Sequence, residues 1–303
     1  MATRPTPSRD TPLALTPLHD DFGVEVHHLD IRDVTKNHGY NELRDAFEEH
    51  SLLLFRNQSL DDDAHLKFGA LWGPIEDRSM GANGLRPRMD NVSNLRADNS
   101  VAPADDPLTL DLMGNMLWHT DSTFLPVPAL ANILAARVLS TSGGETQLVS
   151  TRAAWAAMPA ALRHPTSDAV IRHRLAHSRS KISAALADLM RAQWPDQTWR
   201  AIWTNPHNGR EALYIASHSC GIEGLPDEEG LALIDALIEF CTQSERVYTH
   251  HWRLGDVLVW DERATLHRGR PWPYEQERTL ASICITAQEA DGLDGVRSTR
   301  SEI

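Results

Sequence analysis

The feature that most limits the fold is the order of the apolar runs. Strand-like runs follow one another directly, with no regular alternation of strand and helix. GVEVHHLDI (Gly23–Ile31) alternates like a strand, and SLLLFRN (Ser51–Asn57) reads as a buried one. AVIRHRLAH is strand-like, and RTLASICITA is the last good strand. AIWTNPHNGREALYIAS reads as a hairpin around Asn208-Gly209, and VYTHHWRLGDVLVW as a second hairpin. Strands next to strands favour an antiparallel β core with helices added around it, a mainly β fold with flanking helices.

The helices are few and well marked. YNELRDAFEEH has helical spacing through Leu43 and Phe47. Ser59 is the expected N-cap of SLDDDAHLKFGALWG, and Ser150 that of TRAAWAAMPAALR. KISAALADLMRAQW and PDEEGLALIDALIEFCTQ are further helices, the second with Pro226 and acids at its start. The polar, acidic, proline-bearing stretch 97–111 reads as a long loop. No repeat or composition break divides the chain. We expect a disordered tail over 1–12, one domain over 13–289, and a C-terminal tail over 290–303.

Composition narrows the function. A formal net charge of -13 argues against a general nucleic-acid binder or a partner of anionic membrane. It leaves room for a small acidic substrate in a local basic pocket. The three cysteines are widely spaced and form no CxxC, so neither a disulfide framework nor a thiolate zinc site is expected. There is no secretion signal and no transmembrane run, which favours the cytoplasm. A homo-oligomer stays open.

MLWHTDSTF (Met116–Phe124) sets His119 and Asp121 two residues apart in a strand-like run. In a strand, i and i+2 share a face, so imidazole and carboxylate would project together. They are either a surface pair or two arms of a metal site. A third arm could come from His267 in WDERATLHRG. Two histidines and one carboxylate make a facial triad suited to non-haem Fe(II), with open positions for co-substrate and oxygen. Other histidine sets (His173 with His177, His27-His28, His250-His251) lack a carboxylate partner or face opposite ways, and read as structural or surface.

MLWHTDSTF, SGGETQ, GDVLVWDERATLHRGRPW and QERTLAS occur in that order. With SLLLFRNQSL, LWGPIED, NVSNL, TRAAWAAMP, HNGREALYI and HSCGIEGLP, they resemble the TauD/TfdA family of Fe(II)- and 2-oxoglutarate-dependent dioxygenases, in particular its aryloxyalkanoate branch. The resemblance implies a double-stranded β-helix, or jelly-roll, core. It implies His119, Asp121 and His267 as iron ligands, with 2-oxoglutarate and O2 as co-substrates. Thr146 stands at the threonine that bonds a 2-oxoglutarate carboxylate, and Arg278 at the arginine that grips the far one. Trp260 either packs beside the co-substrate or is plain core. The implied reaction hydroxylates a C–H of a small organic acid, releasing succinate and CO2. In the aryloxyalkanoate branch the product collapses to a phenol and a 2-oxo acid. The aspartate in the triad points to oxygenation rather than halogenation.

The chain departs from the family at the substrate end. Many members carry a second arginine four residues after the first; here that position is Ser282. A branch of phenoxypropionate enzymes uses an arginine where this chain has Ala216. Arg179 or Lys181 could replace that cation or could be solvated charges. Asn115 and His218 are further candidates for substrate contact, and Glu262 replaces the usual asparagine after Trp-Asp. Other readings stand beside this one: an oxygenase of secondary metabolism on a neutral or larger substrate, a non-catalytic metal-binding β-barrel, and a zinc hydrolase on the same triad.

Overall fold

The computed structural model describes residues 13–77 and 89–298. The expected tail over 1–12 and the last residues of the C-terminal tail lie outside them.

A seven-stranded sheet forms the larger wall, in the order Ala14–Pro17, Val24–His27, Leu52–Phe55, Val257–Asp261, Ala129–Val138, Thr279–Thr286, Asp90–Ser93. Only Val24–His27 against Leu52–Phe55 is parallel among the described pairs of this sheet. A three-stranded sheet, Tyr248–His250, Thr146–Ser150, Thr265–Gly269, forms the facing wall. Together they are the double-stranded β-helix.

The larger sheet is buried on both faces, and side-chain alternation sorts its residues. Leu53, Phe55, Val257, Val259, Ile133, Ala135, Ile283 and Ile285 pack in one core with Leu43 and Phe47 of helix Tyr40–His50 and Phe68 and Trp72 of helix Asp62–Trp72. The intervening residues Leu52, Leu54, Leu258, Trp260, Leu134 and Leu280 meet Leu148 of the smaller sheet. Polar residues on that second face (Asn132, Ser282) therefore look into the β-helix.

Residues 151–247 depart between two adjacent strands of the smaller sheet. They supply a second three-stranded sheet, Ser219–Ile222, Val170–His173, Gln197–Arg200, and the long helix Asp227–Cys241. Their core, with Trp155, Leu213, Ile215 and Leu237, covers Val149 and Leu266 on the outside of the smaller sheet.

Several expectations are corrected. Tyr248–His250 and Val257–Asp261 are not a hairpin: they belong to opposite walls, and the chain crosses between them through Gly255 at φ 81°. Helix Asp62–Trp72 is capped by Asp61, which accepts from the Ala64 amide at 2.8 Å, not by Ser59. The run after Ser150 breaks into Thr151–Ala156 and Ala160–Thr166, with Pro159 as the second N-cap. The strand in AVIRHRLAH ends at His173 and helix Leu175–Ser180 follows, so His173 and His177 do not share a strand face. The loop 97–111 ends inside helix Pro107–Gly114, which Asp106 caps and Pro107 starts. Residues 290–298 are not a tail: Leu293 and Val296 are buried in the main core, and the Trp203 indole donates to the Asp291 carbonyl at 2.9 Å.

Arg263 anchors the corner joining the two walls. It is buried, donating to Asp261 Oδ1 at 2.8 Å and to Glu48 Oε2 at 2.7 Å. Arg44 joins Glu48 to Asp291, and Asn205 donates to Glu48 Oε2 at 2.6 Å. Burial alone would raise the Glu48 pKa, but Arg263 and Arg44 outweigh it and the carboxyl lies below its usual range. Arg263→Met leaves two carboxylates buried without their shared partner. It should cost about 3–5 kcal/mol in urea unfolding; a loss under about 1 kcal/mol would show the network dispensable.

His173 and His65 are fully buried, and burial drives their pKa values to about 3 and about 4. Unfolded, each takes up a proton near 6.5, so below that pH the unfolded chain binds more protons and stability falls as pH falls. The expected slope is about 1.4 kcal/mol per pH unit for each imidazole that stays neutral, down to its folded pKa. His173→Leu should flatten the stability profile between pH 6.5 and 4 by about one proton.

Candidate active site

Met116–Phe124 is not a strand. Within it only His119 bridges, exchanging backbone bonds of 2.9 and 2.8 Å with His267. The neighbouring residues turn, and side chains replace the missing ladder. Thr120 Oγ1 donates to the Thr265 carbonyl at 2.9 Å, with the Ile215 carbonyl 3.2 Å away, and the Asp121 amide donates to Glu262 Oε2 at 2.9 Å. Ser122 takes φ 60°.

That single bridge sets the two histidine rings side by side, centroids 4.1 Å apart and tilted by 46°. Asp121 lies between them, with Oδ1 3.6 Å from His119 Nε2 and Oδ2 3.9 Å from His267 Nε2. One acceptor atom from each of the three lies within 4.8 Å of the others. His119 Nδ1 donates to the Leu117 carbonyl at 2.7 Å, which leaves the Nε2 lone pair facing inward. Burial lowers both imidazole pKa values, His267 to about 3, and Asp121 only partly offsets it. Two neutral imidazoles and a carboxylate aimed at one point are a donor set a divalent cation fits.

The carboxylate is held from outside. Asn132 Nδ2 donates to Asp121 Oδ2 at 2.7 Å, and Ser282 donates to Asn132 Oδ1 at 3.0 Å. Cys284 Sγ lies 3.6 Å from Asp121 Oδ2. Glu262 is fully buried, accepts from Trp260 Nε1 at 2.7 Å, and lies 3.9 Å from the otherwise unbonded His267 Nδ1. Burial and then Asp121 push its pKa well above the usual carboxylate range.

The same cavity, about 160 Å³, reaches Thr146 and Arg278. Thr146 Oγ1 accepts from the Trp252 indole at 3.0 Å. Arg278 is 3% exposed, lies over Trp272, and donates to the Gly144 carbonyl at 2.7 Å. It makes no ion pair among the described residues, its Nε is unbonded, and burial lowers its pKa to about 10. A buried guanidinium in that condition suits an anionic ligand. Gly144, at φ 74°, has no substitute here, since a Cβ would stand 2.6 Å from Arg278 Nε.

Trp260, Asn115, Arg179, His218 and Ser282 all line the cavity. Trp260 satisfies both readings: it is core, and its ring lies against His267 at 4.7 Å. Arg179 is not solvated; it is buried and paired with Asp111 at 2.9 Å. Lys181 is exposed and is not brought to the cavity. Sequence reasoning missed Asn132, Trp252, Trp272, Asp111 and Arg270. Only Asn132 carried a signal, as a polar residue inside the apolar run ALANILAARV. An apolar wall of Phe124, Leu175, Met190 and Trp194 completes the cavity.

The family model described as taurine catabolism dioxygenase TauD, TfdA family, matches residues 14–284. The chain is 33% identical over 270 residues to the alpha-ketoglutarate-dependent 2,4-dichlorophenoxyacetate dioxygenase of Cupriavidus pinatubonensis, covering 87% of this chain and 94% of that one. It is 32% identical over 273 residues to the (S)-phenoxypropionate/alpha-ketoglutarate-dioxygenase of Sphingobium herbicidovorans, covering 88% and 92%. The crystal structure of AAD-2 in complex with Mn(II) and N-oxalylglycine superposes with a TM-score of 0.84 at 30% identity, covering 92% of this chain and 99% of the other. With its sheet order, its His-Asp-His cluster and these matches, the chain belongs to the TauD/TfdA family of 2-oxoglutarate-dependent dioxygenases.

Proposed function

We propose that this Fe(II)- and 2-oxoglutarate-dependent dioxygenase holds its iron on His119, Asp121 and His267 and its co-substrate on Thr146 and Arg278. Its substrate is a small organic molecule with an aromatic or other apolar body. The observation that supports this most is one cavity containing both a cation-shaped donor set and an unpaired buried guanidinium. Bound there, Fe(II) with 2-oxoglutarate and O2 supplies the oxidising power to replace a C–H hydrogen by hydroxyl, with release of succinate and CO2.

The chain's own groups do the orienting. Asn132 holds the Asp121 carboxylate, and the hydrogen bond from the Asp121 backbone N–H to Glu262 Oε2 holds its backbone. The Leu117 carbonyl fixes the His119 tautomer. Because Thr146 Oγ1 already accepts from Trp252, its hydroxyl proton is free for a carboxylate oxygen. Arg278 offers its planar fork to the other carboxylate. Phe124, Leu175, Met190 and Trp194 shape the space for an apolar body and keep water from it.

The relatives make aryloxyalkanoate cleavage the first activity to assay, since hydroxylation beside an ether oxygen gives a hemiacetal that collapses to a phenol and a 2-oxo acid. A second reading, a substrate without a carboxylate, is favoured by the Arg179–Asp111 pair and by Ser282.

Purified protein given Fe(II), 2-oxoglutarate and an aryloxyalkanoate and aryl-alcohol panel should form succinate in step with substrate loss; no succinate and no Fe(II) binding would refute the proposal. His119→Ala should weaken Fe(II) binding by more than roughly 100-fold, and Asn132→Ala by roughly 10–100-fold, in anaerobic calorimetry. Trp252→Phe should weaken 2-oxoglutarate roughly fivefold, one net hydrogen bond. Arg278→Lys should weaken it roughly tenfold or more while leaving Fe(II) affinity unchanged.

A further inference from the structure

NVSNL, Asn91–Leu95, runs out of the edge strand Asp90–Ser93, and its second asparagine is bonded to the backbone around Arg278. Asn94 is fully buried. Its Nδ2 donates to the carbonyls of Tyr274 and Gln276, both at 2.9 Å. Its Oδ1 accepts from the Arg278 amide at 3.0 Å. Both protons on the side-chain nitrogen are used, and the reverse orientation would set oxygen against two carbonyls. Asn94 is itself anchored from the other side. Its carbonyl accepts from the Ala102 amide at 2.8 Å, and the preceding Ser93 Oγ lies 2.8 Å from Thr279 Oγ1.

Those three bonds hold residues 270–278, the strap that joins strand Thr265–Gly269 to strand Thr279–Thr286. The strap carries what steadies the Arg278 fork. The guanidinium carbon lies over the Trp272 ring, 4.7 Å from its centroid. The Trp272 indole donates to the same Gln276 carbonyl that Asn94 holds, at 3.3 Å. Gly144, whose carbonyl accepts from Arg278 Nη2, is tied to the strap as well, its amide donating to the Pro271 carbonyl at 3.0 Å. An arginine side chain has much rotamer freedom to lose, so its reach is set by what holds it. Here the backbone end, the stacked ring and the acceptor at the tip all depend on the strap, and Asn94 fixes the strap from within.

Resting on the dioxygenase reading above, we propose that Asn94 is a positioning residue that fixes the reach of Arg278 and so matches the site to the length of 2-oxoglutarate. A 2-oxo diacid is held at two ends, its oxo-acid end at the His-Asp-His cluster and its far carboxylate at Arg278. With the fork fixed, a homologue one methylene longer, 2-oxoadipate, misses the bidentate geometry. With the strap loosened, the fork settles for either length, and 2-oxoglutarate loses the advantage of a site prepared for it.

The test is anaerobic calorimetry of the Fe(II)-loaded protein, titrated with 2-oxoglutarate and with 2-oxoadipate. The parent should prefer 2-oxoglutarate by at least roughly tenfold. Asn94→Ala should weaken 2-oxoglutarate roughly tenfold and 2-oxoadipate by clearly less, so that the preference narrows while Fe(II) affinity holds. Gln276→Ala loosens the strap at a half-buried point, where the Gln276 side-chain oxygen accepts from the Thr141 amide at 2.8 Å and its hydroxyl at 3.0 Å. It should narrow the preference in the same sense by a smaller factor. If Asn94→Ala does not fold, Gln276→Ala decides, and an unmoved preference in it overturns the proposal. A merely structural asparagine would lower the urea midpoint and leave the ratio of the two affinities where it was. Equal weakening of both diacids, an unchanged 2-oxoglutarate affinity, a fall in Fe(II) affinity, or no preference in the parent would each overturn the proposal. The parent titration separates the two claims. No 2-oxoglutarate binding there refutes the dioxygenase site itself, whereas normal binding with an unmoved ratio in the variants refutes only the role of Asn94.

Discussion

The cavity depends on one corner of the chain, residues 261–264. There the backbone leaves the seven-stranded sheet at Asp261 and enters the smaller one at Thr265. Alternate side chains go to opposite sides of it. Asp261 and Arg263 turn outward into the ion network with Glu48, while Glu262 turns inward to the Asp121 amide and the Trp260 indole. A buried ion pair often adds little net stability, because desolvation offsets its Coulomb gain. Its role here is positional: Arg263 ties the corner to Asp261, to Glu48 and to the Asp291 carbonyl, three separate parts of the chain. The strand that follows then delivers His267 opposite His119.

Much of this was legible in the sequence for physical reasons. The His119, Asp121 and His267 cluster was legible less from its His-x-Asp spacing, a weak signal among 15 histidines, than from the order of the motifs around it, which resembles the family's. Leu52–Phe55 and Thr279–Thr286 were legible because both faces of their sheet are buried, so their apolar runs are continuous. Sheet membership was not. Tyr248–His250 and Val257–Asp261 look like a hairpin, since nothing local says that the turn between them spans two walls. Helix Pro107–Gly114 hid in an acidic, proline-bearing stretch, although Asp106-Pro107 is a helix-start pair. The short helix Leu293–Val296 offers only two apolar residues as a signal.

The substrate end shows the same division. Arg179 was visible as a candidate cation, but its acid is Asp111, 68 residues away, and no spacing rule reaches that far. Ser282 looked like a loss, an arginine missing. In the fold it gains a function, because its hydroxyl donates to Asn132 Oδ1 and so turns the Asn132 amide toward Asp121. The serine thus supports the carboxylate of the His-Asp-His cluster through Asn132.

The alternating faces of the seven-stranded sheet carry a consequence for how this chain can change. In Ala129–Val138, Asn132 looks into the cavity and Ile133 packs under the helices. Substitution at either position alters one wall. Loss or gain of a single codon within the strand would exchange the two walls, pointing Ile133 at Asp121 and burying Asn132 against Phe68 and its neighbours. The two neighbouring strands that pair with it, Val257–Asp261 and Thr279–Thr286, are under the same rule. The extra residues that the pairing with Thr279–Thr286 does carry, Leu130 and Arg137, sit at its two ends, where a bulge absorbs them; between them the strand can drift only by replacement.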